Sequence, residues 1–372
     1  MSSVPRLFQP AKVGNLELSN RVVLAPLTRF RANSAHVPTD LMVEYYKQRA
    51  SYPGTLLISE ATYIAPQASG MLNAPGIWSE EQIAAWKKVR THHLLVMVLI
   101  ARRSPTPSIP RAPRPAVLKL ESPDYPYVSA SPIALSTSLD DVPRELTKDE
   151  IKQYVEWYGT AARNAVLGAG FDGVEIHGAN GYLVDQFLQD VSNTRTDEYG
   201  GSVENRARFA LEVVDAIVAA VGAKRTAIRL SPFNGYHDMR MKNPVPQFTY
   251  VLEQFKQKHP DLAYIHTITP NAPMSALPED KSVDPNFIYK LWSPRTVVTA
   301  GAYDRESAIK VAEETDQLIG FGRPFIANPD LVYRLRENIP LNELQEDTFY
   351  LTMSERGYTT YPFSEQFLKS QL

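Results

Sequence analysis

Gly173-Val-Glu-Ile-His-Gly-Ala-Asn-Gly-Tyr182 decides the fold. After a glycine comes a short apolar run, the pattern of a strand buried in a parallel sheet. It breaks at its C-terminal end into His177, Asn180 and Tyr182. Parallel α/β sheets bind ligands beyond the carboxyl ends of their strands. Two hydrogen-bond donors and a phenol at such an end can polarise a carbonyl and deliver a proton. That is the apparatus for reducing an activated double bond. Glycine with asparagine also makes an ordinary turn, so the rest of the chain arbitrates.

Working outward, short apolar runs alternate with helical patterns, as in a parallel sheet. Expected strands are Arg21–Pro26, Thr55–Ala61, Gly173–Ala179, Thr226–Pro232, Ala263–Thr269, Thr296–Gly301 and Gln317–Gly322, with Leu94–Ile100 making eight. Amphipathic helices are expected at Lys148–Gly168, Val203–Val221, Phe248–His259, Asp304–Glu314 and Asn328–Asn338. Eight such units close into an α/β (β/α)8 TIM barrel, expected as one domain over residues 1–372. An open doubly wound sheet is the runner-up, but no Gly-x-Gly-x-x-Gly opens a helix near the first strand. Gly14-Asn15, between Ala11 and Leu18, predicts a short hairpin ahead of the barrel.

The 372 residues carry a net charge of −2, which gives no general attraction for nucleic acid or membrane. The absence of cysteine excludes disulfides and thiolate metal sites, and no metal is expected. Met1–Phe8 lacks an apolar signal core, and no run approaches the ~20 apolar residues of a membrane span. A cytoplasmic enzyme, monomer or homodimer, is the expectation. Ser370-Gln-Leu372 is one residue off a peroxisomal tripeptide, a weak signal.

Prolines crowd residues 102–132, interleaved with Arg102, Arg103, Arg111 and Arg114. Proline lacks a backbone donor and cannot sit inside a central strand or helix. Residues 101–115 therefore read as an atypical, extended, insert-like segment, either a partner-docking site or a plain loop.

Several motifs in order resemble the Old Yellow Enzyme family of FMN-dependent ene-reductases, closest to its fungal members. They are Leu24-Ala-Pro-Leu-Thr-Arg-Phe30, Asn73-Ala-Pro-Gly-Ile-Trp-Ser79, the His177 stretch, Asn193-Thr-Arg-Thr-Asp-Glu-Tyr-Gly-Gly-Ser202, Glu204-Asn-Arg-Ala-Arg-Phe209 and Gly320-Phe-Gly-Arg323. The resemblance implies FMN across the C-terminal mouth of the barrel and NADPH as reductant. It also implies an α,β-unsaturated aldehyde or ketone as substrate. His177 and Asn180 would bind the substrate carbonyl, and Tyr182 would protonate the α-carbon. Thr28 would donate near flavin C4 oxygen and N5, with Pro26 and Ala61 offering backbone contacts; a threonine ending a strand is otherwise a helix cap. Arg229, a cation in an apolar strand, would face an electron-rich flavin edge or pair with Glu175 or Asp172. Gly301, Gly322 and Arg323, after the last two strands, fit a phosphate, although such glycines also serve as turns. Phe349 and Tyr350 resemble an aromatic lid over the substrate; the alternative is ordinary core aromatics.

One departure stands out. The family's third strand carries a glutamine, in a Gln-Leu-Trp context, that bonds the flavin pyrimidine edge; here no glutamine lies between Gln82 and Gln153. Divergence starts abruptly after Val89 and ends abruptly at Ala116, as a reading-frame change or misplaced splice junction would produce. Ungapped counting puts Arg103 near the missing glutamine. The expectation is weakened FMN binding, by about 0.5–3 kcal/mol for one lost hydrogen bond, and impaired closure between the second and fourth strands. A flavin-dependent isomerase and a degenerate barrel are the competing functions; Tyr182, which completes net reduction, argues against isomerisation.

Overall fold

The computed structural model describes residues 4–90, 94–101, 124–273, 275–276 and 283–372. Strands β1 (Ala11–Val13) and β2 (Leu16–Leu18) pair antiparallel across Gly14-Asn15, the expected hairpin. Gly14 takes φ 56°, a conformation natural to glycine. The barrel strands are β3 (Val22–Leu24), β4 (Leu56–Tyr63), β5 (Leu94–Ile100), β8 (Gly173–Gly178), β9 (Thr226–Leu230), β10 (Tyr264–Ile268), β11 (Val297–Ala300) and β12 (Leu318–Phe321). All neighbours are parallel, and β12 pairs with β3 to close the ring. A minor pair, β6 (Val128–Ser129) with β7 (Arg144–Glu145), lies outside it.

Closure between β4 and the next two strands is intact, which corrects the expected impairment. β5 pairs with β4 from Leu56↔Leu94 to Tyr63↔Ile100 and with β8 from Val96↔Gly173 to Leu99↔Ile176. The physical reason is where the strand stops: Ile100 ends the ladder five residues before the first proline of the segment, Pro105. Residues 102–115, Arg103 included, lie outside the described residues.

Alternation sorts side chains into two cores. Val23, Ile58, Val96, Val98, Ala227 and Val298 fill the barrel interior. Leu24, Leu57, Leu95, Val174, Ile176 and Ile228 belong to the cluster between the sheet and the helices. Some of the helices start on capping boxes, such as Ser79 with Gln82 and Thr147 with Glu150. Observed spans shift modestly: the first expected helix stops at Arg163 and continues as a π turn to Gly168, and the last covers Leu331–Glu337. In the Asn193 motif, buried Arg195 forks onto Asp197 at 3.0 and 2.6 Å and donates to the Ala130 and Leu146 carbonyls. Much of that motif is scaffold. Among the described residues, no helix is long and apolar enough to cross a membrane.

Candidate active site

Parallel strands in a closed barrel bring all their carboxyl ends to one mouth. Pro26 and Thr28 follow β3, Ala61 lies near the end of β4, Asn180 and Tyr182 follow β8, Gly301 follows β11, and Gly322 and Arg323 follow β12. His177 and Arg229 sit near the ends of adjacent strands in direct register, and Arg229 is in register with His266 of β10. The catalytic and flavin-contacting residues expected from sequence thus share one rim.

The turn after β8 is held with unusual completeness. Asn180 (φ 57°) and Gly181 (φ 73°) are both left-handed. The Asn180 N–H donates to Ser231 Oγ at 2.8 Å, and its carbonyl accepts from His237 Nδ1 at 2.8 Å. The Gly181 N–H donates to Asp185 Oδ2 at 2.8 Å, and its carbonyl accepts from Gln186 Nε2 at 2.6 Å. Every backbone polar group of the two residues therefore meets a side chain. Burial pushes the Asp185 carboxyl up to about 7, against its hydrogen bonds from Gln189 and Gly181. Tyr182 then stands at the start of the helix Leu183–Leu188, half-buried, its ring 4.8 Å from that of His177.

Below the turn lies a row of buried polar groups. His266 Nδ1 donates to Glu175 Oε2 at 2.9 Å, both side chains fully enclosed. Burial first, then Arg229, His266 and His237, hold the His177 imidazole well below its usual range, so it is neutral. Among the described residues, His177 Nδ1, Arg229 Nε, His266 Nε2 and Glu175 Oε1 have no hydrogen-bond partner. Arg229 forms no ion pair with either expected acid, although Glu175 attracts it electrostatically; Asp172 pairs instead with Arg90 at 2.8 Å. Arg229 Nε thus keeps a buried donor to spare at the barrel mouth, and the chemistry of these residues fits a flavin.

Thr28 is not a helix cap: the next helix begins at Asp40, with Thr39 at its cap position. Gly301 has φ 143°, and a Cβ there would come within 2.4 Å of Thr269 Oγ1. At Gly322 a Cβ would make only ordinary contact, 3.4 Å to Leu27, so crowding there does not demand glycine. Arg323 is exposed and pairs loosely with Glu346 at 3.4 Å. Phe349 and Tyr350 divide between the two expected readings. Phe349 is buried with Ile326 and Tyr361, whereas Tyr350 is exposed and leans on Phe30 at 5.8 Å. Their segment is strapped to the β3 loop by Arg29, which donates to the carbonyls of Phe349 and Gly357 at 3.1 and 2.7 Å.

Sequence reasoning passed over Ser231, His237, Asp185 and Gln186. The signal available was the loop Pro232–Met241, which follows the strand bearing Arg229 and must end at the same mouth.

Residues 6–342 match the NADH:flavin oxidoreductase / NADH oxidase family. The chain belongs to that family. Its relatives include the chanoclavine-I aldehyde reductase fgaOx3 of Penicillium roqueforti, 45% identical with 98% of each chain covered. Another is the probable inactive dehydrogenase easA of Claviceps fusiformis, 43% identical over 99% of this chain and 97% of that one. Among solved structures, the Old Yellow Enzyme from Pichia sp. AKU4542 superposes with a TM-score of 0.84 at 36% identity, covering 97% of this chain and 94% of that one. The protein is therefore a flavin oxidoreductase of the Old Yellow Enzyme type, with FMN as cofactor and a reduced nicotinamide as electron source, acting on activated C=C bonds.

Proposed function

We propose that the chain reduces α,β-unsaturated aldehydes or ketones with NADPH, in fungal secondary metabolism. The observation that carries this is the clamped turn bearing Asn180 and Tyr182, next to neutral His177 and above Arg229. Pro26, Thr28, Ala61 and Arg229 would hold the flavin ring, while Gly301, Gly322 and Arg323 would hold its phosphate. The chemistry that bound FMN would supply there is hydride transfer, from the nicotinamide to the substrate β-carbon. His177 and Asn180 donate to the carbonyl oxygen, where negative charge develops. Being neutral, His177 polarises that oxygen without giving up its proton. Donors fixed before reaction stabilise such charge without reorganisation. Tyr182 delivers the proton to the α-carbon, completing the saturated carbonyl. Phe349 and Tyr350 bound the pocket from the strapped C-terminal segment.

A degenerate barrel is the second reading, favoured by the apolar end of β5 and by the relative named a probable inactive dehydrogenase. Reconstitution with FMN separates the two. A yellow protein that, without oxygen, converts an enone to the saturated ketone with NADPH faster than with NADH is the expected result. A colourless protein after dialysis sinks both flavin binding and the reduction. We further propose a cytoplasmic enzyme, active as a monomer or homodimer.

A further inference from the structure

His237 lies outside the residues assigned to the reaction above, yet its side chain touches both ends of the reactive turn. Its Nδ1 donates to the Asn180 carbonyl at 2.8 Å, which sets the tautomer, because a carbonyl only accepts. Its ring meets the Tyr182 ring edge-on, with centroids 5.6 Å apart and planes at 80°. Between these contacts it covers Gly181 so closely that a Cβ there would lie 2.6 Å from His237 Cβ.

Ser231, Asp185 and Gln186 hold only backbone atoms of the turn. Among the described residues, none of the three hydrogen-bonds the phenol. His237 itself is left-handed, with φ 60° and ψ 38°. Asp238 and Arg240 beside it also have positive φ. Such backbone persists in non-glycine residues where the surroundings over-determine it. Here they do. Asp238 accepts from the Ser136 N–H and hydroxyl at 2.7 and 2.6 Å. The Arg240 N–H donates to Gln189 Oε1 at 2.8 Å, and Gln189 Nε2 donates to Asp185 at 2.8 Å. The circuit runs from the turn through Asp185 and Gln189 into the β9 loop, and returns to the turn through His237.

We propose that His237 is a positioning residue for proton delivery, aiming the Tyr182 phenol at the substrate α-carbon through its bond to Asn180 and its ring contact with Tyr182. This rests on reading Tyr182 as the proton donor. No bond of the substrate is made or broken at His237.

The test compares His237→Leu, His237→Gln, Tyr182→Phe and the His237→Leu/Tyr182→Phe double variant, all FMN-loaded, by stopped flow with 2-cyclohexenone and with a nitroalkene. FMN affinity by fluorescence quenching and thermal unfolding are read in parallel. His237→Leu is expected to slow the enone step by about tenfold to a hundredfold, the cost of a misplaced reacting group. Flavin reduction by NADPH, FMN affinity and hydride transfer to the nitroalkene, whose anion is stable without immediate protonation, should not change. His237→Gln keeps an N–H for the Asn180 carbonyl and should recover most of the rate. The double variant should be no slower than Tyr182→Phe. An unaltered enone rate in His237→Leu, beside a slowed Tyr182→Phe, overturns the proposal alone. So does equal slowing of both substrates, lost FMN or failure to fold, since the role would then be general scaffolding. An unaltered rate in Tyr182→Phe overturns the donor assignment and this proposal with it.

Discussion

β5 and β8 are neighbours in the barrel, with Val98 opposite Glu175 and Leu99 opposite Ile176, yet they meet the mouth in opposite ways. β5 turns Val96 and Val98 into the barrel, and Ile100 into an apolar cluster with Phe30, Tyr63 and Met71 on which Ala61 and Tyr182 pack. β8 turns Glu175 and His177 inward and ends in a turn whose every backbone group is bonded. Closing a barrel needs only ladder donors and alternating apolar burial, which many sequences supply. Stabilising charge on one carbonyl oxygen needs particular atoms in particular places. A strand can therefore lose its polar chemistry and still complete the fold.

Breaking the polar side should cost most. Tyr182→Phe removes only the acidic proton, and it should slow enone turnover by about 10²–10⁴ while flavin reduction by NADPH is spared. Stopped-flow traces with equal losses in both half-reactions would remove Tyr182 from the role. Replacing His177 and Asn180 together with alanine should lower enone reduction by about 10²–10³ with flavin content unchanged. An unchanged enone rate in that pair would detach the carbonyl from these donors.

The apolar side predicts a gain instead. Ile100→Gln places an amide on the β5 end that faces Ala61 and Tyr182, and it should tighten FMN binding by about 0.5–3 kcal/mol. Fluorescence-quenching titration decides it: an equal or weaker dissociation constant would mean that the flavin does not seek a partner there.

The smallest effect expected is none at all. His177 is held neutral by burial and neighbouring cations, its proton affinity well below normal. Its depressed folded value means that the stability it contributes is present above the unfolded value and lost on acidification. Between about pH 6 and about pH 8, where an ordinary histidine titrates, the enone step should show no limb assignable to it. A limb near neutrality that disappears in His177→Asn would contradict the neutral assignment.

Much of this architecture was legible in the chain. The apolar runs marked the eight barrel strands to within a few residues, because burial on both faces leaves a short, continuous apolar signature. His177, Asn180 and Tyr182 were legible because they sit on one such run. The helix Val203–Val221 was legible at both ends, because Ser202 caps its start and Gly222, at φ 90°, stops it. Three things were not legible. Closure through β5 depended on where a ladder stops relative to Pro105, a matter of register. The orphaned row of His177, Arg229 and His266 joins residues from three strands, which only strand pairing sets side by side. The clamp on Asn180 and Gly181 draws on Ser231 and His237, about fifty residues downstream, through single hydrogen bonds to backbone. Local sequence determined which segments are buried and where they end, since periodicity and caps act within a few residues. Tertiary structure alone decided how the ends face one another, since those contacts depend on barrel closure and not on neighbours in the chain.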